Sequence, residues 1–301
     1  MAGTLTACGG QSGATGGGLA GPVRIDGSST VEPLSSAASE LFSEVQPQVN
    51  VSVGSSGTGG GFEAFCAGRT DISNASRPIE PEEKGACEQQ GVEYTELVVA
   101  NDALTVVVNP DVDWVDCVTV DQLNTIWGPR AEGEVTNWSD VDPGWPDQRI
   151  VLFGPGTDSG TFDYFTAAVN GEEGASRSDY EASEDDNVLV EGVANTSGAM
   201  GYFGFTYYEE NADSLKALQV DGGDGCVEPS VQTAQSGEYA PLSRPLFIYV
   251  NEQSYADKPQ VKAFVDFYAA RIDRIVEAAQ YIPLNAEQLA ELEQDVERLG
   301  R

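Results

Sequence analysis

A repeated order of elements constrains this chain more than any other feature. Three short apolar runs each stop at a cluster of Gly, Ser and Thr, and a helical pattern follows each cluster at once. The clusters are residues 28–30, 54–58 and 158–161. A strand, a tight turn and a helix in succession are typical of an α/β protein with largely parallel sheets, which bind ligands at the carboxyl ends of their strands. Hydroxyls and the free N–H groups at a helix start favour an anion. We therefore predict that three such turns converge on one oxyanion.

The net charge restricts how an anion could be held. The chain has 49 acidic residues, 15 basic residues and no histidine, so its formal net charge is −34. A field of this sign repels nucleic acid and anionic lipid, and we expect no nucleic-acid partner. An anion must then be bound at short range, by oriented N–H and O–H dipoles in a cleft where distant carboxylates are screened.

The length of the chain and the alternation of its elements predict two lobes. At 301 residues with 40% hydrophobic content, the chain fits two lobes better than one. The last helix opens at an Asn285 cap. Strands are predicted near 23–25, 49–53, 71–74, 150–153 and 246–250, and helices near 34–45, 62–66, 81–89, 119–126, 162–169, 261–272 and 289–299.

The β-branched run 97–108 contains Asn101-Asp102 and is predicted as two strands that meet where the chain crosses between lobes. The strand at 246–250 is expected to cross back. The predicted organisation is a start segment at 1–22, lobe 1 at 23–100, lobe 2 at 101–245 and a return to lobe 1 at 246–301.

The start segment predicts an exported lipoprotein. Residues 9–21 consist almost entirely of Gly, Ser, Ala, Thr and Gln, a composition typical of a flexible tether. The preceding Leu-Thr-Ala-Cys-Gly at 5–9 resembles the lipobox of bacterial lipoproteins, which predicts lipidation of Cys8 and anchoring to the outer face of the cytoplasmic membrane. No later segment of the sequence is long and apolar enough to span a membrane.

The four remaining cysteines predict two disulfides, because an even number without Cys-x-x-Cys spacing, and without histidine, fits an exported protein better than a zinc site. We expect no metal. Of three possible pairings, we favour Cys66–Cys87, which closes a short loop in one lobe, together with Cys117–Cys226, which joins distant segments of the other. The alternative is four buried free thiols.

Several motifs in a fixed order resemble those of a known family. They are Gly27-Ser28-Ser29-Thr30-Val31, Gly54-Ser55-Ser56-Gly57, the run from Thr70 to Ile79, Leu123 to Gly128 with Thr136 to Val141, Ser159-Gly160-Thr161, and Gly198 to Tyr202. From about residue 23 to the C-terminus the chain resembles the solute-binding subunit of phosphate-specific ABC importers. The resemblance implies a two-lobed type II periplasmic-binding-protein fold with a two-strand hinge. It also implies a monomer without cofactor that captures inorganic phosphate outside the cell and delivers it to a membrane permease.

The resemblance also implies which residues bind phosphate. Donors would come from Thr30 and Val31 with Ser29 beside them, from Ser55, and from Ser159, Gly160 and Thr161. Members of the family carry an aspartate in the segment that corresponds to 76–78 and an arginine shortly before Ser-Gly-Thr.

Here Arg77 stands at the first of these places and Pro155 near the second. We predict that Arg77 is the only cation of the site and forks two phosphate oxygens, rather than a surface arginine paired with Glu80 or Glu82. Asp158 is the candidate acceptor for a phosphate proton.

The sequence supports functions other than phosphate transport less well. Catalysis, for instance by a phosphatase, is not expected, because no histidine is present for a Ser-His triad and no nucleophile elbow surrounds Ser159. The acidic runs 184–186 and 209–210 are interpreted as solvated faces. Two alternatives stay open: a general, sulfate-like oxyanion-binding protein, and a lipoprotein that keeps the fold for sensing or adhesion without transport.

Overall fold

The computed structural model describes residues 18–157 and 159–301, and these show the predicted alternation of strands and helices. The strands are β1 (Gly21–Gly27), β2 (Val49–Val53), β3 (Ile72–Ala75), β4 (Tyr94–Val108), β5 (Cys117–Thr119), β6 (Val151–Gly154), β7 (Glu181–Ala182), β8 (Ala199–Gly204), β9 (Lys216–Ala217), β10 (Gln219–Asp221), β11 (Cys226–Val227) and β12 (Ser243–Asn251). The helices are α1 (Glu32–Val45), α2 (Gly57–Cys66), α3 (Pro81–Gln90), α4 (Val120–Trp127), α5 (Trp138–Val141), α6 (Gly160–Phe165), α7 (Asp186–Asn195), α8 (Phe205–Glu210), α9 (Val231–Ser236), α10 (Glu252–Asp257), α11 (Pro259–Ala270), α12 (Ile272–Ala278) and α13 (Ala286–Leu299). A 3-10 turn lies at Pro129–Ala131 and a π-helical turn at Thr166–Asn170.

Local capping chemistry explains where several helices begin. The side chain of Thr119 accepts a hydrogen bond from the N–H of Gln122 at 3.1 Å and opens α4. The predicted Asn285 cap is confirmed, since its side-chain oxygen accepts from the N–H groups of Glu287 and Gln288 at 3.0 and 2.9 Å. Each cap satisfies donors that the first helical turn leaves unpaired.

The strands form a mixed sheet rather than a mostly parallel one. The larger sheet has nine strands in the order β2-β1-β3-β12-β4-β8-β6-β7, with β9 beside β4, and the smaller has the order β11-β10-β5. Pairing is parallel among β2, β1 and β3 and among β8, β6 and β7. It is antiparallel from β3 through β12 and β4 to β8. The α/β class is confirmed, but its central strands are antiparallel because the chain leaves along β4 and returns beside it along β12.

The prediction of two strands in 97–108 is wrong, since β4 is one strand of 15 residues. Its first part pairs with β12 and its last five residues pair with β8. Asn101 does not interrupt it, because its backbone pairs with Ile282 and its side chain exchanges hydrogen bonds with Gln288 at 2.8 and 3.0 Å. Asp102 is held by Arg244 at 3.2 Å. Tertiary partners thus satisfy both polar side chains within a continuous strand.

Two large hydrophobic cores lie along this path. Leu97 and Val99 of β4 belong to the first core, together with buried residues of α1, α11 and β12. Leu104 and Val106 belong to the second core, which also contains the fully buried Trp127. The chain therefore passes from one core to the other within β4. The exact lobe boundaries stay a prediction.

The preferred disulfide pairing is confirmed. Cys66 at the end of α2 is bonded to Cys87 in α3, and Cys117 in β5 is bonded to Cys226 in β11. The alternative of four free thiols is therefore wrong. The first bond therefore joins α2 to α3. The second joins the two outer strands of the small sheet, β5 and β11, across β10.

The predicted lipidation residue Cys8 and most of the tether lie outside the described residues. Across residues 18–157 and 159–301, no helix has the length and apolar character needed to cross a membrane. The same residues hold no group of three or more acidic or cysteine side chains placed to bind a metal ion.

Candidate functional site

A cavity of about 730 Å³ lies where elements of the two cores meet. One side of the cavity is formed by the turn 28–30, which follows β1 of the first core, and by the start of α2 and the segment 76–78 beside it. The other side is formed by α6 and the residues after it, which pack on the second core, and Arg244 of β12 lies between the two sides. This position, at the carboxyl ends of β1 and β3, is the one that the α/β alternation predicts for a ligand.

The first predicted turn is held against β3 and faces the cavity. A side chain at Gly27 would place its Cβ 2.1 Å from the carbonyl oxygen of Asn74, so this position requires glycine. The N–H of Ser28 donates to that same carbonyl at 3.0 Å. Ser29 and Thr30 line the cavity, and among the described residues their N–H groups have no hydrogen-bond partner. These two N–H groups are therefore available to an anion.

Val31, the third residue predicted for this turn, is placed differently. Its side chain is fully buried in the first core. Its N–H donates to the carbonyl of Ser28 at 3.2 Å. Val31 therefore anchors the turn to the first core, while Ser29 and Thr30 line the cavity.

In the second turn, Ser56 lines the cavity instead of the predicted Ser55. Ser55 is exposed and does not line the cavity, whereas Ser56 does. Helix α2 starts at Gly57, which makes Ser56 its N-cap. The N–H of Ser56 is held by the carboxylate of Asp26 at 3.1 Å, and the hydroxyl of Thr58, farther into the helix, lies 3.1 Å from that of Ser76.

The third turn brings Gly160 into direct contact with the first. Ser159 caps α6, since its hydroxyl accepts from the N–H of Thr161 at 3.2 Å. Thr161 itself lines a second, smaller cavity. A Cβ at Gly160 would lie 2.7 Å from Thr30 Oγ1 and 3.0 Å from Ser29 Oγ. The two turns thus meet at a glycine, and Asp158 lies outside the described residues.

Arg77 lines the rim of the cavity and is already paired with carboxylates. Its guanidinium donates to both oxygens of Glu83 at 2.9 and 2.8 Å and lies 3.4 Å from Glu80. The hydrogen bonds to Glu83 raise the pKa of Arg77, an effect that burial partly opposes. The alternative pairing of Arg77 with Glu80 is therefore present, and the second carboxylate partner is Glu83, not Glu82. Arg77 is not the only cation of the site, because Arg244 lines the same cavity.

Arg244 is the functional candidate that the sequence did not reveal. Its Nη2 donates to Thr30 Oγ1 at 2.9 Å and its Nε to Asp102 at 3.2 Å. The guanidinium carbon lies 3.6 Å from the ring centroid of Tyr164 in α6. Burial raises the pKa of Asp102, and the charge of Arg244 opposes that rise. One side chain therefore connects the first turn, the crossing strands and the second core. The sequence offers no signal for it, because Arg244 faces Asp102 through the register of β12 and β4.

The Gly160 contact leads to a prediction about closure. Gly160 lacks a positive φ angle, so its backbone accepts alanine. We expect Gly160→Ala to weaken binding of the cavity's anion about tenfold, because the new methyl group would contact Thr30. Because that contact lies in the described structure and includes the Thr30 nitrogen at 3.0 Å, the free energy of unfolding should fall by about 1–3 kcal/mol. Isothermal titration and urea denaturation measure the two effects.

Gly85→Ala is the matched control for this substitution. Gly85 lies in helix α3, and an added Cβ there meets no atom within 4 Å. It should raise the free energy of unfolding by up to about 1 kcal/mol and leave affinity unchanged. Equal affinity of Gly160→Ala and the parent protein would contradict close contact of the two turns in the bound form.

A second cavity, of about 360 Å³, is lined in part by Asp102, Thr161 and Asp186. Asp186 is the first residue of α7 and is largely buried. Burial, with the nearby charges of Asp185 and Glu184, raises the pKa of Asp186 to about 6. Folding therefore favours the protonated form of this carboxyl group.

Asp186→Asn should consequently stabilise the protein in a pH-dependent way. Between the ordinary pKa of 3.8 and the folded-state pKa of about 6, the folded protein retains a proton that the unfolded chain releases. The resulting loss of stability sets in as pH rises through this window and is complete above it, at about 3 kcal/mol. We expect the variant to gain that amount at pH 7.5 and nothing at pH 3.5, as measured by urea denaturation. A gain of equal size at both pH values would show that ionisation is not its cause.

Two hydrophobic cores, joined by crossing strands and separated by a polar cleft, define a solute-binding protein of the periplasmic type. The comparisons with known proteins agree with this class. Residues 12–271 match the PBP superfamily domain.

Individual relatives identify the family to which the chain belongs within this class of binding proteins. Protein SphX of Synechocystis is 51% identical over 265 residues, which cover 88% of this chain and 79% of that protein. Phosphate-binding protein PstS of Staphylococcus saprophyticus is 41% identical over 283 residues, 93% of this chain and 86% of that protein. A crystal structure described as a possible phosphate binding protein from Planctomyces limnophilus has a TM-score of 0.90 and 45% identity, and the match covers 94% of this chain and 100% of that one. The chain therefore belongs to the PBP superfamily and, within it, to the phosphate-binding proteins, as the motifs predict. This is a family of solute-binding proteins, not of enzymes.

Proposed function

We propose that this protein binds inorganic phosphate in the 730 Å³ cavity and delivers it to the permease of an ABC importer. The observation that carries the proposal is Arg244, which bonds Thr30 at 2.9 Å and stacks on Tyr164 of the second core at 3.6 Å. A guanidinium can fork two oxygens of a phosphate, and Arg244 lies beside the free N–H groups of Ser29 and Thr30.

Arg244, rather than Arg77, is proposed as the cation that contacts phosphate. Both guanidinium groups line the cavity, but Arg77 is engaged by Glu83 and Glu80 at its rim. Arg244 has Asp102 as its carboxylate partner and turns another nitrogen toward Thr30. Gly160 and Ser159 would complete the anion's shell from the second core, and Asp158 stays a prediction as the acceptor of a phosphate proton.

An exported, lipid-anchored monomer is proposed as the working form. Two disulfides support an oxidising compartment. The lipobox-like segment at Cys8 supports an anchor, and the names of the PstS relatives support phosphate as the ligand. Delivery to a permease rests on the family resemblance.

The test is isothermal titration of the phosphate-stripped protein with phosphate and then with sulfate, at pH values on either side of the second ionisation of phosphate. We expect micromolar or tighter phosphate binding and no heat from sulfate. Equal binding of both ions would favour the general oxyanion-binding alternative. Absence of heat from either ion would contradict phosphate binding and favour a role in sensing or adhesion.

A further inference from the structure

Gln280 combines a side chain with a left-handed backbone, and it lines the second cavity. Within residues 18–157 and 159–301, it is the only non-glycine residue with a positive φ, of 59°. Gln280 follows the end of α12 at the position that glycine most often takes, and the N–H groups of Gln280 and Tyr281 donate back to the helix at 3.2 and 3.1 Å. Local geometry therefore favours glycine here, whereas glutamine makes contacts that glycine cannot make.

Two side chains of α8 hold Gln280 in place. The hydroxyl of Tyr207 donates to Gln280 Oε1 at 2.9 Å, and the hydroxyl of Thr206 donates to the Gln280 carbonyl at 2.8 Å. Helix α8 packs on the second core through Phe205, whereas the buried residues of α12 belong to the first core. At Gln280, therefore, an element of the second core holds the end of a helix of the first.

The two residues after Gln280 extend this connection to the crossing strand and to the first turn. The hydroxyl of Tyr281 donates to the backbone carbonyl of Thr30 at 2.7 Å. Ile282 exchanges backbone hydrogen bonds with Asn101 of β4 at 2.9 and 3.0 Å. Thr30 lines the 730 Å³ cavity, so three consecutive residues connect α8 to the turn that is proposed to bind phosphate.

The hydrogen bond from Tyr281 restrains the turn where its geometry matters for an anion. Because the peptide unit is planar, a donor that holds the Thr30 carbonyl fixes the whole peptide after Thr30. Donors that are already positioned bind an anion better than donors that must first be ordered. Thr30 is also the residue that Gly160 approaches, since a Cβ there would lie 2.7 Å from Thr30 Oγ1. The second core therefore reaches Thr30 twice, directly at Gly160 and through Gln280 and Tyr281.

We propose that Gln280 and Tyr281 position the first turn for phosphate, and that α8 sets this position from the second core. While the first and third turns meet, Tyr207 and Thr206 hold Gln280, and Tyr281 holds the Thr30 carbonyl. Separation of the two cores breaks the contact with α8 and releases the turn. Neither Gln280 nor Tyr281 lines the 730 Å³ cavity, so both are positioning residues. The inference rests on the proposed phosphate site and identifies residues that regulate its affinity.

Gln280→Gly separates positioning from folding. Glycine suits the positive φ, so urea denaturation should show a stability that is unchanged or higher. Loss of the hydrogen bond from Tyr207 should nevertheless weaken phosphate about three- to tenfold in isothermal titration. Tyr207→Phe removes the same hydrogen bond from the other side and should weaken phosphate by a similar factor. The double variant should bind no more weakly than the weaker of the two single variants.

Tyr281→Phe tests the step from Gln280 to the turn. It should weaken phosphate about tenfold, and Gln280→Gly should then add less than about twofold, because the connection is already broken. Tyr255→Phe is the matched control. It removes a hydroxyl that donates to Asp266 at 2.6 Å within the first core, so it should lower stability and leave phosphate affinity within about twofold.

A measurement without ligand examines the connection itself. In isotope-labelled, phosphate-free protein, Gln280→Gly should shift the amide resonance of Thr30, and Tyr255→Phe should leave it in place. An unshifted Thr30 resonance would overturn the inference whether or not the parent protein binds phosphate.

The remaining outcomes distinguish this inference from the proposed function. Unchanged or tighter phosphate binding by Gln280→Gly, with normal binding by the parent protein, would overturn the inference and leave the proposed function intact. An undiminished effect of Gln280→Gly in the Tyr281→Phe background would overturn the role of Tyr281. Failure of the parent protein to bind phosphate would overturn the proposed function, and the Thr30 resonance would then decide the connection alone.

Discussion

Arg244→Ala is expected to lower phosphate affinity at least about 100-fold, a loss of about 3 kcal/mol in binding free energy. The variant removes the guanidinium that bonds Thr30 and stacks on Tyr164. It also leaves Asp102 buried without its partner, and breaking such a pair costs about 3–5 kcal/mol of stability. Isothermal titration measures the first effect and urea denaturation the second.

Second variants separate binding from folding in this experiment. Arg244→Ala combined with Asp102→Asn removes the unpaired charge, so most of the stability should return while affinity stays low. Arg77→Ala is the control at the rim, where a half-exposed ion pair contributes about 1 kcal/mol or less. Its phosphate affinity should fall by less than tenfold. The reverse order, with Arg77→Ala losing phosphate and Arg244→Ala retaining it, would restore Arg77 as the principal cation.

Removal of the Cys117–Cys226 disulfide should produce the largest loss of stability, about 5 kcal/mol in the Cys117→Ser, Cys226→Ser double variant. The bond joins residues 109 apart in sequence, and a longer closed loop restricts the unfolded chain more. Neither cysteine lines the 730 Å³ cavity, so affinity at a temperature where the variant is folded should be unchanged. Urea denaturation and titration at 10 °C measure both.

The other disulfide is the natural comparison. Cys66 and Cys87 are 21 residues apart, which predicts a smaller loss of about 3 kcal/mol. Their bond connects α2, whose start lines the cavity, to α3, whose Glu83 holds Arg77. If the two double variants lost the same stability, the length of the closed loop would not be what sets the contribution of each bond.

The local elements could be predicted because their signals lie within a few residues of each other. Helix α1 follows from apolar spacing with Pro33 in its first turn, and α13 follows from the Asn285 cap. The strand-turn-helix order placed Ser29, Thr30 and Gly160 at one cavity, because parallel strands bring their carboxyl ends to one edge. The resemblance pointed to Ser55, but Ser56 lines the cavity, because α2 begins at Gly57 and Ser56 is its N-cap.

The contacts that sequence reasoning missed depend on register and on distant partners. Arg77 was expected to be free for the ligand, but Glu83 is turned toward it while also accepting from the N–H of Glu80 in the capping box of α3. Asn101-Asp102 predicted a break in the strand, because Asn and Asp side chains favour turns unless tertiary partners satisfy their hydrogen bonds. Ile282 and Arg244 supply those partners from far along the chain.

By itself, the sequence determined the α/β class, the three hydroxyl-rich turns and the family, and it favoured one of three possible disulfide pairings, since each follows from local pattern, from counting or from ordered motifs. Only the tertiary structure brings Arg244 into the cleft beside Arg77. Arg244 and Asp102 are 142 residues apart, and they face each other because β12 returns antiparallel beside β4 in one particular register. A shift of β12 by one residue would turn Arg244 to the opposite face of the sheet from Asp102, and no local signal in the sequence specifies that register.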